Sequence, residues 1–310
     1  MTLVLLDSAS LYFRAYFALP ESITAPDGTP VNAVRGFTDT VARILVDRRP
    51  SRLVACLDAD WRPEFRVELL PSYKAHRVAE EREDGAEQVP DTLAPQVPII
   101  LDVLRAAGLA MAEAEGHEAD DVIGTLVAQE SFDPVDVVTG DRDLFQVVRD
   151  EPTPARVSYV GRGWAKAEVL GPAELAVKYN LPAVNAGPAY ADMAVLRGDP
   201  SDGLPGVPGI GEKTAAKLIT EFGSLASLLA ATIDGDPRVP AKVRVKLAES
   251  AEYLAAAPGV VRVVTDAPIA MYEASIVPRE PADPPELARL RERWGLGASI
   301  DRLIAALRNR

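Results

Sequence analysis

The 310-residue sequence contains a single cysteine and only two histidines, which excludes two kinds of site. Cys56 has no internal partner for a disulfide, and the three residues together supply too few ligands for a Cys/His zinc site. No segment approaches the roughly 18 uncharged apolar residues of a membrane span. The first residues, MTLVLLD, lack the basic region of a secretion signal and predict a strand, so we expect a cytoplasmic protein.

Positive charge is also scarce, with 33 basic residues against 46 acidic ones and a net charge of −13. This balance argues against a protein that coats nucleic acid through bulk electrostatics. The length favours one domain of about 150–200 residues with a smaller second one. We expect a monomer. Nine of the acids fall in the clusters described below, and without them 37 acids face 33 basic residues, a net charge of −4.

Short apolar, β-branched segments alternate with helical stretches, at residues 3–6, 53–57, 135–138 and 156–160. This alternation predicts an α/β fold, with a mostly parallel sheet flanked by helices. Asp7, Asp58 and Asp141 stand at or just past the ends of the first three segments. Because the carboxyl ends of parallel strands meet at one edge of a sheet, we expect these three carboxylates to converge.

Six further acids stand in three clusters: Glu118 with Asp120 and Asp121, Asp143 beside Asp141, and Asp199 with Asp202. Acids at the start of a predicted helix complement its dipole, but three within four residues repel one another. For Asp141 and Asp143 a salt bridge to Arg142 is the alternative interpretation. A glycine before Asp141 is expected to allow a sharp turn. Carboxylate oxygens are the ligands that Mg²⁺ and Mn²⁺ prefer, so the clusters favour a metal site.

The string LPGVPGIGEKTA at residues 204–215 is the most specific in the chain. It superficially matches a phosphate-binding loop, but Glu212 separates the glycines from Lys213 and no predicted strand precedes it. A tight turn between two helices fits better, with Gly209 and Gly211 permitting close backbone approach. The helix N-terminus, Lys213 and Lys217 would then hold a phosphate independently of base sequence. A nucleotide-binding ATPase stays a distant alternative.

Residues 61–93 do not form a simple crossover between strands. They begin with basic and aromatic residues, Lys74 and Arg77 among them, and become strongly acidic over residues 80–91. The charge pattern predicts a mobile, solvated excursion over the sheet edge. An amphipathic helix is predicted at 94–107, ended by Gly108, and one or two closing helices at 286–310.

Taken together, these motifs resemble the bacterial 5′-to-3′ exonuclease and flap endonuclease family. The matches run in the family's order over residues 3 to about 225, and EADD at 118–121 and GEKTA at 211–215 are the most specific. The resemblance implies a PIN-like nuclease domain at 1–172, with its arch near 61–93. It also implies a helical helix-hairpin-helix-type (H3TH) domain at 173–276 and a helical extension at 277–310. The chain is too short for a fused polymerase, so we expect the free-standing form.

The resemblance also assigns roles to residues. Two or more Mg²⁺ or Mn²⁺ ions would be held by Glu118, Asp120, Asp121, Asp141, Asp143, Asp199 and Asp202. Asp7 and Asp58 would orient metal-bound waters, while Lys74 and Arg77 would offset charge on the phosphate. Candidate DNA contacts are Tyr12, Arg35, Arg66, Gly209, Gly211, Lys213, Thr214 and Lys217. A potassium ion is expected at the Gly209–Gly211 turn.

The implied function is structure-specific hydrolysis of DNA phosphodiesters near 5′ ends or flaps in replication and repair. It would use two metal ions and leave 5′-phosphate and 3′-hydroxyl ends. Substrates would be flaps, nicks and 5′ single-stranded ends, with RNA–DNA hybrids as a further class. Two alternatives stay open: a PIN-type ribonuclease with the same metal chemistry, and a non-catalytic binder of DNA junctions.

Overall fold

The computed structural model describes residues 1–78, 89–271 and 274–309. Within them a seven-stranded sheet has the order β6-β5-β4-β1-β2-β3-β7. The strands are β1 (Leu3–Asp7), β2 (Arg52–Cys56), β3 (Ala110–Glu113), β4 (Val135–Thr139), β5 (Ala155–Tyr159), β6 (Glu168–Leu170) and β7 (Ala270–Met271). The five central strands are parallel and the two edge strands antiparallel, which confirms the predicted mostly parallel sheet.

The four predicted strands correspond to β1, β2, β4 and β5, and the remaining three are absent from the prediction. β3 has the sequence AMAE, which lacks β-branched residues. β6 and β7 are only three and two residues long. Such segments carry little local signal, because they become strands by pairing with neighbours that are already in place.

Helices cover both faces of the sheet and form the second part of the chain. They are α1 (Ser8–Ala18), α2 (Asn32–Arg48), α3 (Glu64–Leu69), α4 (Gln96–Ala107), α5 (Ala119–Gln129), α6 (Pro172–Tyr179), α7 (Ala186–Arg197), α8 (Glu212–Phe222), α9 (Leu225–Ile233), α10 (Ala241–Glu249), α11 (Ala251–Val261), α12 (Pro284–Arg293) and α13 (Gly297–Arg308). The predicted helix at 94–107 is α4, which ends at Gly108 with φ of +75° as expected. The predicted closing helices are α12 and α13.

The sheet is buried on both faces, as a parallel sheet requires. Leu3 and Leu5 of β1 pack on one side with Val122 of α5. Val4 and Leu6 pack on the other side in the cluster that includes Phe37 of α2. Cys56 is fully buried within these clusters and packs as a small apolar residue. With both faces covered, the carboxyl ends of the strands are left as the edge where side chains can meet a ligand.

Two segments beyond the sheet extend these cores. Val207 and Ala215, from the helical part of the chain, belong to the same apolar cluster as Leu3. Leu287 of α12 and Leu303 of α13 belong to the cluster on the opposite face. The C-terminal helices are therefore packed against the sheet domain, and the helical part shares a continuous core with it.

The acidic stretch predicted to be a mobile excursion falls largely on residues 79–88, which lie outside the described residues. Among the described residues, no single helix is long and apolar enough to cross a membrane. Helices α8 and α9 reach the required length and hydropathy only as a pair, and they are bent by 79° relative to each other.

Candidate active site

A cavity of about 550 Å³ lies at the carboxyl edge of the sheet. Its walls include six of the nine singled-out acids: Asp7, Asp58, Glu118, Asp120, Asp141 and Asp199. A small adjoining cavity of about 40 Å³ shares Glu118, Asp120 and Asp141 and adds Asp143 and Asp202. We call the two together the acidic cavity. Its position and lining agree with the convergence expected from strands β1, β2 and β4.

Local hydrogen bonds fix the carboxylates at the strand ends. Asp7 caps α1 by accepting from the Ser10 N–H at 3.1 Å, and it also accepts from the Thr139 hydroxyl at 2.5 Å. Asp58 accepts from the Ala119 N–H at 2.7 Å, at the start of α5. These contacts join the end of β1 to the end of β4, and the end of β2 to the start of α5, so the geometry of the acidic cavity follows from helix capping and strand order.

Glycine at position 140 has a different role from the one expected. Its φ is not in the left-handed region, so the backbone does not need glycine for a sharp turn. A Cβ atom here would instead lie 2.7 Å from Cδ of Arg14 and 2.8 Å from Oγ of Ser10. A larger residue here would displace the side chains of Ser10 and Arg14, because α1 approaches the end of β4 closely and this approach brings both residues to the cavity wall.

Shielding from water and mutual repulsion disfavour the charged forms of several of these acids. Burial, followed by the charges of Asp141 and Asp58, raises the pKa of Asp7 to about 7 despite the hydrogen bond from Thr139. Burial and the charges of Asp7 and Asp141 raise the pKa of Asp120 well above its usual value. The pKa of Asp143 is raised in the same way. Bound cations would relieve this repulsion.

Two basic residues neutralise part of the cavity. Lys74 pairs with Glu118. Burial alone would lower the pKa of Lys74, but the negative charge of Glu118 raises it above its usual value, so the ammonium stays charged. Arg77 donates to Oδ1 of Asp202 and to the Ser201 carbonyl, both at 2.8 Å. Within residues 1–78, 89–271 and 274–309, no three acids are grouped closely enough to hold a metal ion as they stand. Glu118 and Asp202 have basic partners instead.

The structure places Asp121 and Arg66 in a buried ion pair, a geometry that does not favour their predicted roles. Asp121 is fully buried, and its two oxygens accept from the Arg66 guanidinium at 2.7 Å each. It also accepts from the Val264 N–H at 2.8 Å. A carboxylate engaged in this way does not reach the cavity as a metal ligand. Arg66 is only 2% exposed; it lines the small adjoining cavity, but its guanidinium is engaged by Asp121 and Glu118, which does not favour a contact with a DNA phosphate.

Two other candidate DNA contacts are also placed differently. Tyr12 stacks on Phe13 with ring centroids 5.4 Å apart and packs against the apolar clusters, while Phe13 itself lines the acidic cavity. Arg35 donates to the Gly295 carbonyl at 3.2 Å, between α12 and α13. Neither Tyr12 nor Arg35 lines the cavity, so the structure does not support contact with a substrate there.

Sequence analysis missed several cavity residues. Arg14 lines the cavity together with Ser10. It follows Ser10 by four residues and so lies on the same face of α1, and this spacing was the signal in the sequence that could have indicated it. Trp61 also lines the cavity, and its carbonyl accepts from Lys74 at 3.3 Å. Tyr73 donates its hydroxyl to Glu118 at 2.6 Å, a pairing across 45 residues that no local pattern indicates.

The string at 204–215 forms a turn between α7 and α8. We call residues 204–211 the glycine turn. Gly206 and Gly209 have φ of +66° and +72°, whereas Gly211 is extended and has open space around it. Lys213, Thr214 and Lys217 are exposed on the first turns of α8, as a phosphate-binding surface requires. The Lys246 ammonium donates to the Gly209 carbonyl at 3.1 Å, so this basic residue also lies at the turn.

The sheet order, the acidic cavity and the attached helices define a PIN-like α/β protein with a C-terminal helical domain. The chain belongs to the 5′–3′ exonuclease family. Residues 2–180 match that family's N-terminal resolvase-like domain, and residues 186–284 match its C-terminal SAM-fold domain. The resemblance inferred from the sequence motifs is thereby confirmed.

Relatives of similar length have the same family name. A 5′-3′ exonuclease of Mycobacterium tuberculosis is 57% identical over 98% of this chain and 97% of that protein. A 5′-3′ exonuclease of Streptomyces coelicolor is 56% identical over 98% of this chain and 99% of that protein. A bacteriophage T5 flap endonuclease, solved with DNA and metal ions, shares the fold with a TM-score of 0.65 at 16% identity over 99% of both chains.

Proposed function

We propose that the protein is a structure-specific 5′ nuclease that hydrolyses DNA phosphodiesters near 5′ ends, nicks and flaps. It would act as a monomer in replication and repair in the cytoplasm, leaving 5′-phosphate and 3′-hydroxyl ends. One observation supports this most strongly: eight carboxylates from strand ends, a helix start and a loop surround the acidic cavity. Such a cavity repels a phosphodiester unless cations intervene, and family membership agrees with a nuclease.

The side chains fit divalent cations. Every candidate ligand is a carboxylate oxygen, the donor that Mg²⁺ and Mn²⁺ prefer. Asp7, Asp120 and Asp143 are each repelled by the charge of Asp141 and other neighbouring acids, which favours added positive charge. Glu118, Asp120, Asp141 and Asp143 would hold one ion, Asp199 and Asp202 a second, and Asp7 and Asp58 would orient bound waters. When bound, two such ions activate a water and stabilise the leaving oxygen.

The basic residues at the cavity would bind the substrate phosphate. Lys74 and Arg77 lie on its wall and pair with Glu118 and Asp202 in a partly desolvated setting. Such donors stabilise negative charge on a phosphoryl group more strongly than exposed ones do. Arg14 donates to the Gly161 carbonyl at 2.8 Å and lines the same cavity, which makes it a further candidate for a phosphate contact.

The glycine turn and α8 would bind the duplex part of the substrate at a surface separate from the acidic cavity. Lys213, Thr214 and Lys217 are exposed at the positive end of α8, where backbone N–H groups bind phosphate without reading bases. A potassium ion at the turn and action on RNA–DNA hybrids remain part of this proposal. The Lys246 ammonium already engages the Gly209 carbonyl, so a potassium ion bound to that oxygen would have a second positive charge beside it.

The deciding experiment compares three substrates in Mg²⁺: a 5′-flap DNA, a nicked duplex and a single-stranded RNA. We expect cleavage of the flap and nick, with 5′-phosphate on the products, and little action on the RNA. Preferred cleavage of RNA would favour the PIN-type ribonuclease instead. Tight binding of the flap with no product in Mg²⁺ or Mn²⁺ would favour a non-catalytic junction binder.

A further inference from the structure

Arg66, on helix α3 at the base of the arch, is an unusually buried arginine. Its guanidinium donates to both oxygens of Asp121 at 2.7 Å and to Oε2 of Glu118 at 3.0 Å. Its Nε donates to the Val260 carbonyl of α11 at 2.9 Å. One side chain therefore joins the base of the arch, the start of α5 and the end of the helical part.

Stability alone is a weak reason for this arrangement. Charges are costly to bury, and a buried ion pair is often no more stabilising than apolar residues of the same size. Arg66 and Asp121 together carry no net charge, so the pair also does little to offset the repulsion among the cavity acids. What the pair supplies is geometry, since a two-point fork fixes both the position and the orientation of the guanidinium.

The fixed guanidinium in turn holds one oxygen of Glu118. Its Oε2 accepts from Arg66 and, at 2.6 Å, from the Tyr73 hydroxyl, so this oxygen is occupied on the buried side. Its Oε1 pairs with Lys74, which also lines the acidic cavity. With Oε2 held, Oε1 is the only oxygen of Glu118 left for a cation in the cavity, and a bound cation would share it with the Lys74 ammonium. Glu118 is 6% exposed, which agrees with a carboxylate of fixed orientation.

We propose that the buried Arg66–Asp121 pair is a positioning element, which orients Glu118 toward the acidic cavity and ties the arch base to α11. This inference rests on the proposed function, because it assigns Glu118 to a divalent cation. Asp121 contributes through Arg66 and not as a ligand. The same pair explains why Glu118, which caps α5, and Asp121, in the first turn of α5, have different surroundings: Asp121 faces the guanidinium, and Glu118 lies between the guanidinium and the cavity.

The experiment separates positioning from stability by removing both charges at once. The double variant Arg66→Met/Asp121→Leu replaces the pair by apolar side chains, and Tyr73→Phe removes only one donor to Oε2 of Glu118. Arg52→Met is the matched control, because Arg52 pairs with the buried Glu130 at 2.5 Å and does not line the acidic cavity. Each variant is tested for urea unfolding, Mn²⁺ binding by titration calorimetry, and steady-state cleavage of a 5′-flap DNA in Mg²⁺.

For the double variant we expect a folded protein with a lower free energy of unfolding, because the Val264 N–H and the Val260 carbonyl lose their side-chain partners. We also expect an unchanged KM for DNA and losses of about 10–100-fold in both kcat and Mn²⁺ affinity, the range for residues that orient metal ligands. Tyr73→Phe should fold normally and show a smaller loss in the same two quantities. The control Arg52→Met should unfold more easily and keep wild-type kcat and Mn²⁺ affinity.

Wild-type kcat and Mn²⁺ affinity in the double variant would overturn the positioning role and leave the proposed function intact. Should that variant fail to fold, Tyr73→Phe decides by the same criteria, and wild-type values there would overturn the inference. A wild-type protein that binds no Mn²⁺ and cuts no DNA would instead overturn the proposed function, and this inference with it.

Discussion

The acidic cavity and the glycine turn both face phosphate in the proposed complex, yet they are built in opposite ways. In the cavity, Asp7 and Glu118 are buried and held by several hydrogen bonds from distant segments. At the turn, Lys213 and Lys217 are exposed on the surface of α8, and the main chain is held in shape by glycines with positive φ. In the acidic cavity the defined feature is the position of the side chains, and in the glycine turn it is the shape of the main chain.

This difference follows from what each region is proposed to do. Chemistry at one phosphorus atom requires charged groups at defined positions, which a protein obtains by burial and hydrogen bonding. Holding a duplex at many phosphates requires only exposed positive charge and backbone N–H groups. We therefore expect substitutions in the cavity to reduce turnover, and substitutions at the turn to reduce DNA affinity or fold stability.

The largest effect is expected at Asp141. Asp141→Ala removes a carboxylate shared by both parts of the acidic cavity, and should lower kcat by about 10³-fold or more, since bound cations supply several kcal/mol of transition-state stabilisation. DNA affinity in EDTA should stay at the wild-type level, measured by gel shift. The control Asp150→Ala removes an exposed acid paired with Arg156 and should leave kcat unchanged. Cleavage by Asp141→Ala at the wild-type rate would remove this carboxylate from the proposed site.

A smaller loss of turnover is expected at Lys74. Lys74→Met keeps most of the side chain's length but removes the ammonium that pairs with Glu118, and should lower kcat by about 10²-fold. Single-turnover cleavage at saturating enzyme measures this step separately from binding. Lys166→Met, at an exposed position, is the charge-matched control. Equal rates for the two variants would show that the basic residue at the arch base does not act on the phosphate.

The sequence was most informative where a signal is local. Aspartates at strand ends and the glycine string could be found because strand order and turn chemistry act over a few residues. It could not distinguish Glu118 from Asp121, which share a helix face, because their difference comes from Arg66, more than 50 residues away. The prediction of a DNA contact for Arg35 lacks support for the same reason, because its partner, the Gly295 carbonyl, lies 260 residues further along the chain.

Two of the three glycines of the turn, Gly206 and Gly211, test whether its backbone shape matters. Gly206 has φ of +66°, and a Cβ atom there would overlap the carbonyl oxygen of Arg197, so Gly206→Ala should lower the free energy of unfolding by about 2 kcal/mol. Gly211 is extended, and no atom lies within 4 Å of the place its Cβ would occupy, so Gly211→Ala should change stability by less than about 0.5 kcal/mol. Urea unfolding of both variants is the measurement. Equal stability of the two would mean that the turn adapts without cost.

The smallest effect is expected at Lys213, and it distinguishes the turn from the cavity most directly. Lys213→Ala should weaken binding to every duplex sequence to the same extent and reduce the slope of log affinity against log salt by about 1, because one phosphate contact is lost. Binding is measured in EDTA by fluorescence anisotropy over a range of salt concentrations, with kcat at saturating DNA recorded in parallel. Lys178→Ala, which removes an exposed lysine paired with Glu168, should change neither quantity. A loss confined to particular sequences, or a fall in kcat without a change in affinity, would show that α8 acts on bases or on the reaction and not on the DNA backbone.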